Sequence, residues 1–193
     1  MSKTITPKVL ITKFTEDSVK GYIEALEEIE STFSASQKVL IHIDSYGGSV
    51  HGLLMLIDKL ESMSNIIVTY TSSKAMSAGA FLLSIAGTPG YRFASEDASI
   101  LVHEVQSGAI GDIKDVEDAV IHTKRLNDRL LTKFAKSIGR KKSEDIRKMI
   151  KEKALGHDMI FSSEEAKKIG IIDRVCTIGM KKVSYWDIKE VEK

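Results

Sequence analysis

The chain has 193 residues, of which 42% are hydrophobic, and a formal net charge of +1. This length can fill one core, and the near-neutral charge provides no basic surface, which makes nucleic acid and anionic membranes poor candidate partners. The single cysteine, Cys176, excludes an internal disulfide and a thiolate metal site, and no apolar stretch reaches the length of a membrane span. We expect one cytoplasmic domain, residues 1–193, without a metal or cofactor.

Strands and helices alternate in the first half of the chain. The predicted elements, in order, are a strand at 9–11, a helix at 16–29, a strand at 38–44, a helix at 49–63, a strand at 65–70, a helix from about 77 to 86, short strands at 91–93 and 99–103, helices at 111–138, 143–153 and 162–169, and a closing strand at 171–175. A strand, a glycine turn, a helix and another strand, repeated, predict an α/β fold.

The longest periodic segment is the helix predicted at 111–138, where apolar residues recur at three- and four-residue steps. Such a helix would span about 40 Å, which is long for a domain of this size. The pattern alone leaves two interpretations open. The helix either projects and packs on another subunit, or runs along one flank of the core.

Ser77 lies between small residues, directly before an apolar helix. The free N–H groups and positive dipole end of that helix would stabilise an oxyanion beside the hydroxyl, but a serine at such a position is more often a simple N-cap. Gly47 and Gly48 follow a predicted buried strand and could form only a turn. Alternatively, an N–H of this glycine pair and the Ala78 N–H could form a two-donor oxyanion hole.

Among the five histidines, His103 is the candidate base, because it lies where a predicted strand passes into a loop. His42 lies inside a predicted buried strand, which is more typical of a core histidine. Asp158 lies in a predicted loop and is a candidate for orienting the imidazole, with Glu104 and Asp112 as competitors.

A lysine base is a further alternative within the same chemistry. Lys74 lies three residues before Ser77, so a Ser–Lys dyad is conceivable. We expect Lys74 to point along the turn, however, and His103 to be the better-placed base.

Several blocks in the right order resemble the proteolytic subunit family of Clp proteases, ClpP. The similarity covers about residues 39–175 and rests on Ser45-Tyr46-Gly47-Gly48-Ser49-Val50, Ala75-Met76-Ser77-Ala78-Gly79-Ala80-Phe81-Leu82-Leu83, Ile100-Leu101-Val102-His103, Asp158 before Ile160-Phe161-Ser162-Ser163-Glu164-Glu165-Ala166, and Gly170-Ile171-Ile172-Asp173. The resemblance implies a ClpP/crotonase-type α/β fold of repeated β-β-α units, with a projecting handle at about 104–138.

The resemblance also implies a function, that of an ATP-dependent-type serine endopeptidase subunit. Ser77 would be the nucleophile, His103 the base and Asp158 its orienting acid, with the backbone N–H groups of Gly48 and Ala78 forming the oxyanion hole. Subunits of this family form stacked homo-oligomeric rings around a chamber that receives unfolded polypeptides, and an AAA+ unfoldase is the implied partner.

This sequence departs from the family pattern in several places. Its N-terminal segment is shorter, which predicts reduced or absent axial loops for pore gating and unfoldase contact. Tyr46 replaces a proline, Glu104-Val105 replaces Gln-Pro, and His157 stands in place of an arginine that couples ring assembly to the triad. A tail at about 177–193 extends past the usual end.

Two other functions remain open from the sequence. One is a catalytically silent ring subunit with the same fold, and the other is a crotonase-type acyl-CoA enzyme, which shares the fold and the paired oxyanion N–H groups.

Overall fold

The computed structural model describes residues 6–140, 142–153, 158–180 and 186–190, with backbone alone from residue 177 onward. Along the chain the elements are β1 Lys8–Ile11, α1 Glu16–Thr32, β2 Val39–Ile43, α2 Val50–Ser62, β3 Ile67–Thr71, β4 Lys74–Met76, α3 Ala78–Ile85, β5 Arg92–Ala94, β6 Ser99–His103, α4 Ile113–Ser137, α5 Ser143–Lys153, β7 Asp158–Phe161, α6 Ser163–Ile169, β8 Arg174–Met180 and β9 Trp186–Glu190. The predicted α/β alternation is confirmed.

The strands form two sheets. The larger has the order β1-β2-β3-β5-β8-β9, in which all pairs are parallel except the last. All residues of β2 and β3 are buried, as their continuous apolar sequences predict for parallel strands covered on both faces. The smaller sheet has β6 in its centre, parallel to β4 and antiparallel to β7. The functional residues described below cluster around this smaller sheet.

The two halves of α4 differ in burial, so the second half fits the interpretation of a helix along the core, while packing of the first half on another subunit stays a prediction. Its second half is buried against the core, where Phe134 packs edge-to-face on Phe81 of α3 at a ring separation of 5.1 Å. Its first half presents apolar side chains to solvent, among them Ile113, Val120 and Ile121. No helix in the described part of the chain combines the length and apolarity that a membrane span requires.

Two predictions near the C-terminal part of the chain are wrong. Asp158 lies not in a loop but at the start of β7, because that short segment pairs with β6, a contact distant in sequence. The closing strand begins at Arg174 rather than Ile171. The reason is the left-handed Gly170 at the end of α6, after which the Ile171 N–H donates to the Ala166 carbonyl at 2.9 Å and continues the cap.

Candidate active site

Ser77 forms a strained elbow between β4 and α3. It has φ +53° and ψ −121°, and among the described residues no other non-glycine residue has a positive φ. Strained conformations of this kind cost about 1–3 kcal/mol and cluster at functional sites. Ser77 occupies the N-cap position of α3, but its side chain makes no capping hydrogen bond to the helix. Helix capping therefore does not explain the presence of a serine here. The Ser77 N–H donates to the Leu101 carbonyl at 2.8 Å, which ties the elbow to β6.

The glycine loop packs directly on the serine. Gly47 has φ +107°, and a Cβ there would lie 2.6 Å from the Ser77 Cβ and 3.0 Å from its Oγ. Gly48 has φ +146°, and a Cβ there would lie 2.9 Å from the Phe14 carbonyl oxygen. Side chains are therefore excluded at both positions, whereas the approach of this backbone to a substrate carbonyl stays a prediction.

The loop is also fixed to the strand that leads into the serine. The Ser45 N–H donates to the Lys74 carbonyl at 3.1 Å, and the Met76 N–H donates to the Ser45 carbonyl at 2.9 Å. Ser45 is fully buried, and its hydroxyl accepts a hydrogen bond from the Gly47 N–H at 3.1 Å. These bonds leave the loop little freedom to move relative to Ser77.

A cavity of about 310 Å³ opens beside the elbow. Its lining includes four of the sequence-predicted site residues, Gly48, Ser77, Ala78 and His103, whereas Asp158 does not line it. The remaining lining residues are Tyr46, Val50, Leu53, Phe81, Glu104, Val105, Gln106 and Leu130. The cavity thus joins an alcohol, an imidazole and a wall of mixed polar and apolar residues.

Two backbone donors border this cavity. Ala78 is the first residue of α3, so its N–H has no acceptor within the helix. In the described part of the chain, no hydrogen bond uses the Gly48 N–H. The Ala78 N–H also lies at the positive end of the α3 dipole, and the pairing of these two donors as an oxyanion hole stays a prediction.

His103 ends β6, and its Nδ1 lies 2.5 Å from the Glu104 carbonyl oxygen. A carbonyl can only accept, so this contact assigns the proton to Nδ1 and leaves the Nε2 lone pair free. Asp158 is the Cα partner of His103 in the β6–β7 register. Its carboxylate is exposed and, within the described residues, makes no hydrogen bond to the imidazole. The fold thus places Asp158 beside His103 without joining their side chains.

The segment after His103 is held by residues that the sequence analysis missed. Asn127 of α4 accepts a hydrogen bond from the Val105 N–H at 3.0 Å and donates to the Glu104 carboxylate at 2.8 Å. Arg147 of α5 also contacts that carboxylate, with Nε 3.3 Å from Oε1. The only signal in the sequence was a polar residue beside the apolar stripe of α4. Its partners are distant along the chain and could not be inferred.

Lys74 is paired elsewhere. Its Nζ lies 2.8 Å from Asp44 Oδ1 and 4.7 Å from the centre of the Tyr46 ring. The hydrogen bond to Asp44 raises the pKa of Lys74, whereas a lysine base needs a lowered pKa. These contacts disfavour the Ser–Lys dyad.

The other candidates from the sequence have separate roles. Asp112 is the N-cap of α4 and accepts from the Asp115 N–H at 3.0 Å, so it does not orient a histidine. His42 is a buried strand residue whose Nε2 lies 3.0 Å from the Ser72 hydroxyl, and burial lowers its pKa. His157 lies outside the described residues. No group of three potential metal-ligating side chains occurs in the part of the chain that the structure describes.

The fold and this cavity define an α/β protein with a serine elbow at a strand–helix junction. The Clp protease family model matches residues 8–179, nearly the whole of the described chain. The protein belongs to the Clp protease family, and the predicted ClpP-type α/β fold is confirmed.

Curated relatives include ATP-dependent Clp protease proteolytic subunit 2 of Frankia casuarinae, 39% identical over 137 residues. Proteolytic subunit 1 of Streptomyces coelicolor is 33% identical over 140 residues, and subunit 3 of Frankia casuarinae 35% over 137. Each alignment covers 71% of this chain but only 60%, 59% and 61% of the respective relative. The chain thus matches less than two thirds of their length.

Proposed function

We propose that this protein is a serine endopeptidase subunit that cleaves peptide bonds inside a homo-oligomeric chamber. The observation that carries this proposal is the strained Ser77. Its hydroxyl makes no capping hydrogen bond to α3 and borders the same cavity as His103 and two available N–H donors. Membership of the Clp protease family supports the peptidase class.

In this mechanism Ser77 Oγ attacks the scissile carbonyl carbon while His103 Nε2 accepts the hydroxyl proton. The carbonyl oxygen becomes an oxyanion that the N–H groups of Gly48 and Ala78 bind. Collapse of the tetrahedral intermediate breaks the C–N bond as His103 returns the proton to the leaving amine. Water, activated by the same imidazole, then hydrolyses the acyl-serine and releases the second product.

Asp158 acts in this scheme by stabilising the imidazolium form of His103. Directly opposed residues of an antiparallel pair have Cα atoms about 5 Å apart. A side-chain rotation of Asp158 and His103 can therefore bring the carboxylate to Nδ1 in place of the Glu104 carbonyl. The proposed triad is complete after this rotation.

The exposed apolar half of α4 supports the proposal of an assembly. Ile113 is 80% exposed, and Val116, Val120 and Ile121 are each more than a third exposed. A solvated helix rarely carries so many apolar residues together unless a partner covers them. We propose that other copies of this chain do so in stacked rings, with this segment as the handle. The names of the relatives include "ATP-dependent", which supports a AAA+ unfoldase that delivers unfolded polypeptide.

Labelling with a fluorophosphonate tests the proposal directly. The wild-type protein should be modified on Ser77 and should cleave short fluorogenic peptides, whereas Ser77→Ala and His103→Ala should do neither. Ser73→Ala, which removes an exposed nearby hydroxyl, is the matched control and should behave as wild type. Absence of labelling and of cleavage in every assembly state of the wild type would refute the peptidase.

The catalytically silent ring subunit remains a second candidate, because no hydrogen bond joins His103 to Asp158 within the described residues. An intact particle that the probe does not label would favour it. We place the protein in the cytoplasm, an assignment that the single cysteine supports.

A further inference from the structure

We propose that Asn127 is a positioning residue for His103. It acts through the Glu104–Val105 segment, which it holds so that the Glu104 carbonyl accepts the Nδ1–H of the imidazole. This proposal rests on the proposed peptidase function and adds a main-chain acceptor that fixes the base before Asp158 engages it.

The first support is the position and bonding of Asn127. Its side chain is 9% exposed, and both ends of its amide are used on the same short segment. The oxygen accepts the Val105 N–H at 3.0 Å, and the nitrogen donates to Glu104 Oε1 at 2.8 Å. A buried amide with two bonds to consecutive residues fixes the orientation of the peptide plane between them. The Glu104 carbonyl, 2.5 Å from His103 Nδ1, belongs to that plane.

The second support comes from α5. Arg147 contacts Glu104 Oε1 through Nε at 3.3 Å, and its guanidinium also pairs with the carboxylate of Asp128 on α4. Glu104 is thus held from two helices that pack on each other. We refer to Asn127, Glu104 and Arg147 as the histidine clamp.

The clamp depends on the identity of residue 105. The N–H of Val105 donates to the Asn127 oxygen, and a proline at position 105 would have no N–H to donate. Val105 therefore permits the bond to the Asn127 oxygen, which a proline at this position would abolish.

The chemical consequence concerns the tautomer of His103. With the proton on Nδ1, Nε2 is free to accept the Ser77 proton, which is the arrangement that an orienting aspartate normally enforces. A neutral carbonyl fixes the tautomer but stabilises the imidazolium less than a carboxylate does. Asp158→Asn should therefore lower kcat only about tenfold, rather than the roughly 10⁴-fold loss that follows when the wrong tautomer forms.

Removal of the histidine clamp should show how far the tautomer of His103 depends on the clamp and on Asp158. Asn127→Ala should lower kcat about tenfold with KM unchanged, and by about a hundredfold in the Asp158→Asn background, because neither group then fixes the tautomer. Independent sites would show the same factor in both backgrounds.

The direct measurement is the tautomer of His103, read from ¹⁵N chemical shifts of histidine-labelled protein above the imidazole pKa. The wild type should show the proton on Nδ1, and Asn127→Ala should shift the population toward the Nε2–H form. Arg129→Ala, an exposed substitution on the same helix, is the control. Glu104→Gln should retain the tautomer, because its amide oxygen still accepts from Asn127. If Asn127→Ala does not fold, Arg147→Ala provides the same comparison with a smaller shift.

The result that overturns the proposal is a tautomer population and a kcat that are the same in Asn127→Ala as in Arg129→Ala. A fall in kcat with an unchanged tautomer also overturns it, since the effect is then structural. Failure of the peptidase function has a different signature. The wild-type protein would not be labelled by the fluorophosphonate, although its ¹⁵N spectrum would still report the clamp.

Discussion

Gly47→Ala perturbs the contact between the glycine loop and the proposed nucleophile. The new methyl group would lie 2.6 Å from the Ser77 Cβ, a separation that requires one backbone to shift. The positive φ of Gly47, +107°, adds conformational strain of about 1–2 kcal/mol for an alanine. Overpacking of this kind adds about 1–3 kcal/mol. We expect a loss of about 2–5 kcal/mol in unfolding free energy, from the sum of these two effects.

The functional effect should be of the same order as the effect on stability, since a 10²–10³-fold loss in kcat corresponds to about 2.7–4 kcal/mol. Displacement of the loop should move the Gly48 N–H away from the proposed oxyanion position, and loss of one such donor lowers kcat about 10²–10³-fold. Urea denaturation measures the first effect, and the rate of fluorophosphonate labelling or peptide cleavage measures the second.

Gly90→Ala is the matched control for strain alone. Gly90 has φ +88°, and a Cβ there meets nothing within 4 Å. The unfolding free energy of Gly90→Ala should fall only by the backbone strain of about 1–2 kcal/mol, and labelling of this variant should be unchanged. If Gly47→Ala loses no more stability than Gly90→Ala and reacts with the probe at the wild-type rate, the loop does not press on Ser77 as the structure implies.

Three further predictions concern other parts of the molecule. Burial raises the pKa of Asp173, but the hydrogen bonds and charge of Arg92 outweigh burial and lower this pKa below the ordinary 3.8. The ionised Asp173 therefore stabilises the folded state fully above pH 3.8, and this stabilisation disappears as the pH falls through the lowered pKa. Asp173→Asn should therefore lose about 3 kcal/mol near neutral pH and flatten this acid dependence in urea titrations, and an unchanged acid slope would contradict the assignment. Ile113→Asp, at an 80% exposed position, should leave monomer stability unchanged but reduce the particle mass in sedimentation velocity, unless this face is not an interface. Lys74→Ala should retain fluorophosphonate labelling within about threefold while His103→Ala abolishes it, given typical general-base contributions of 10²–10⁴-fold; the reverse order would restore the lysine dyad.

Local chemistry made the main elements of the fold predictable from the sequence. Continuous β-branched residues predicted the buried strands β2 and β3, and three- and four-residue apolar spacing predicted the long α4. The short strands β4 and β7 were not predicted, because three or four residues carry too little pattern. Their pairing with β6 depends on contacts that the sequence order does not reveal.

The candidate site likewise has features that local sequence predicted and features that depend on distant contacts. Small residues around Ser77 and the pair Gly47-Gly48 indicated a close backbone approach, because only glycine tolerates both the positive φ and the missing space. Which acceptor holds His103 was a different kind of question. The sequence offered the carboxylates of Glu104, Asp112 and Asp158 as orienting groups, whereas the structure places the main-chain carbonyl of Glu104 at His103 Nδ1. The Glu104 carboxylate instead contacts Asn127, a residue distant along the chain.

The sequence alone predicted the proposed reactive groups through the family resemblance, and it determined the local conformations that small or β-branched residues enforce, since these conformations depend on near neighbours along the chain. Tertiary structure decided the contacts of Asn127, Asp158 and Lys74, since hydrogen bonds and ion pairs form only where folding brings distant segments together. The hydrogen bonding of the proposed catalytic base therefore depends on tertiary packing, whereas the position of the proposed nucleophile depends on the residues adjacent to it in the sequence.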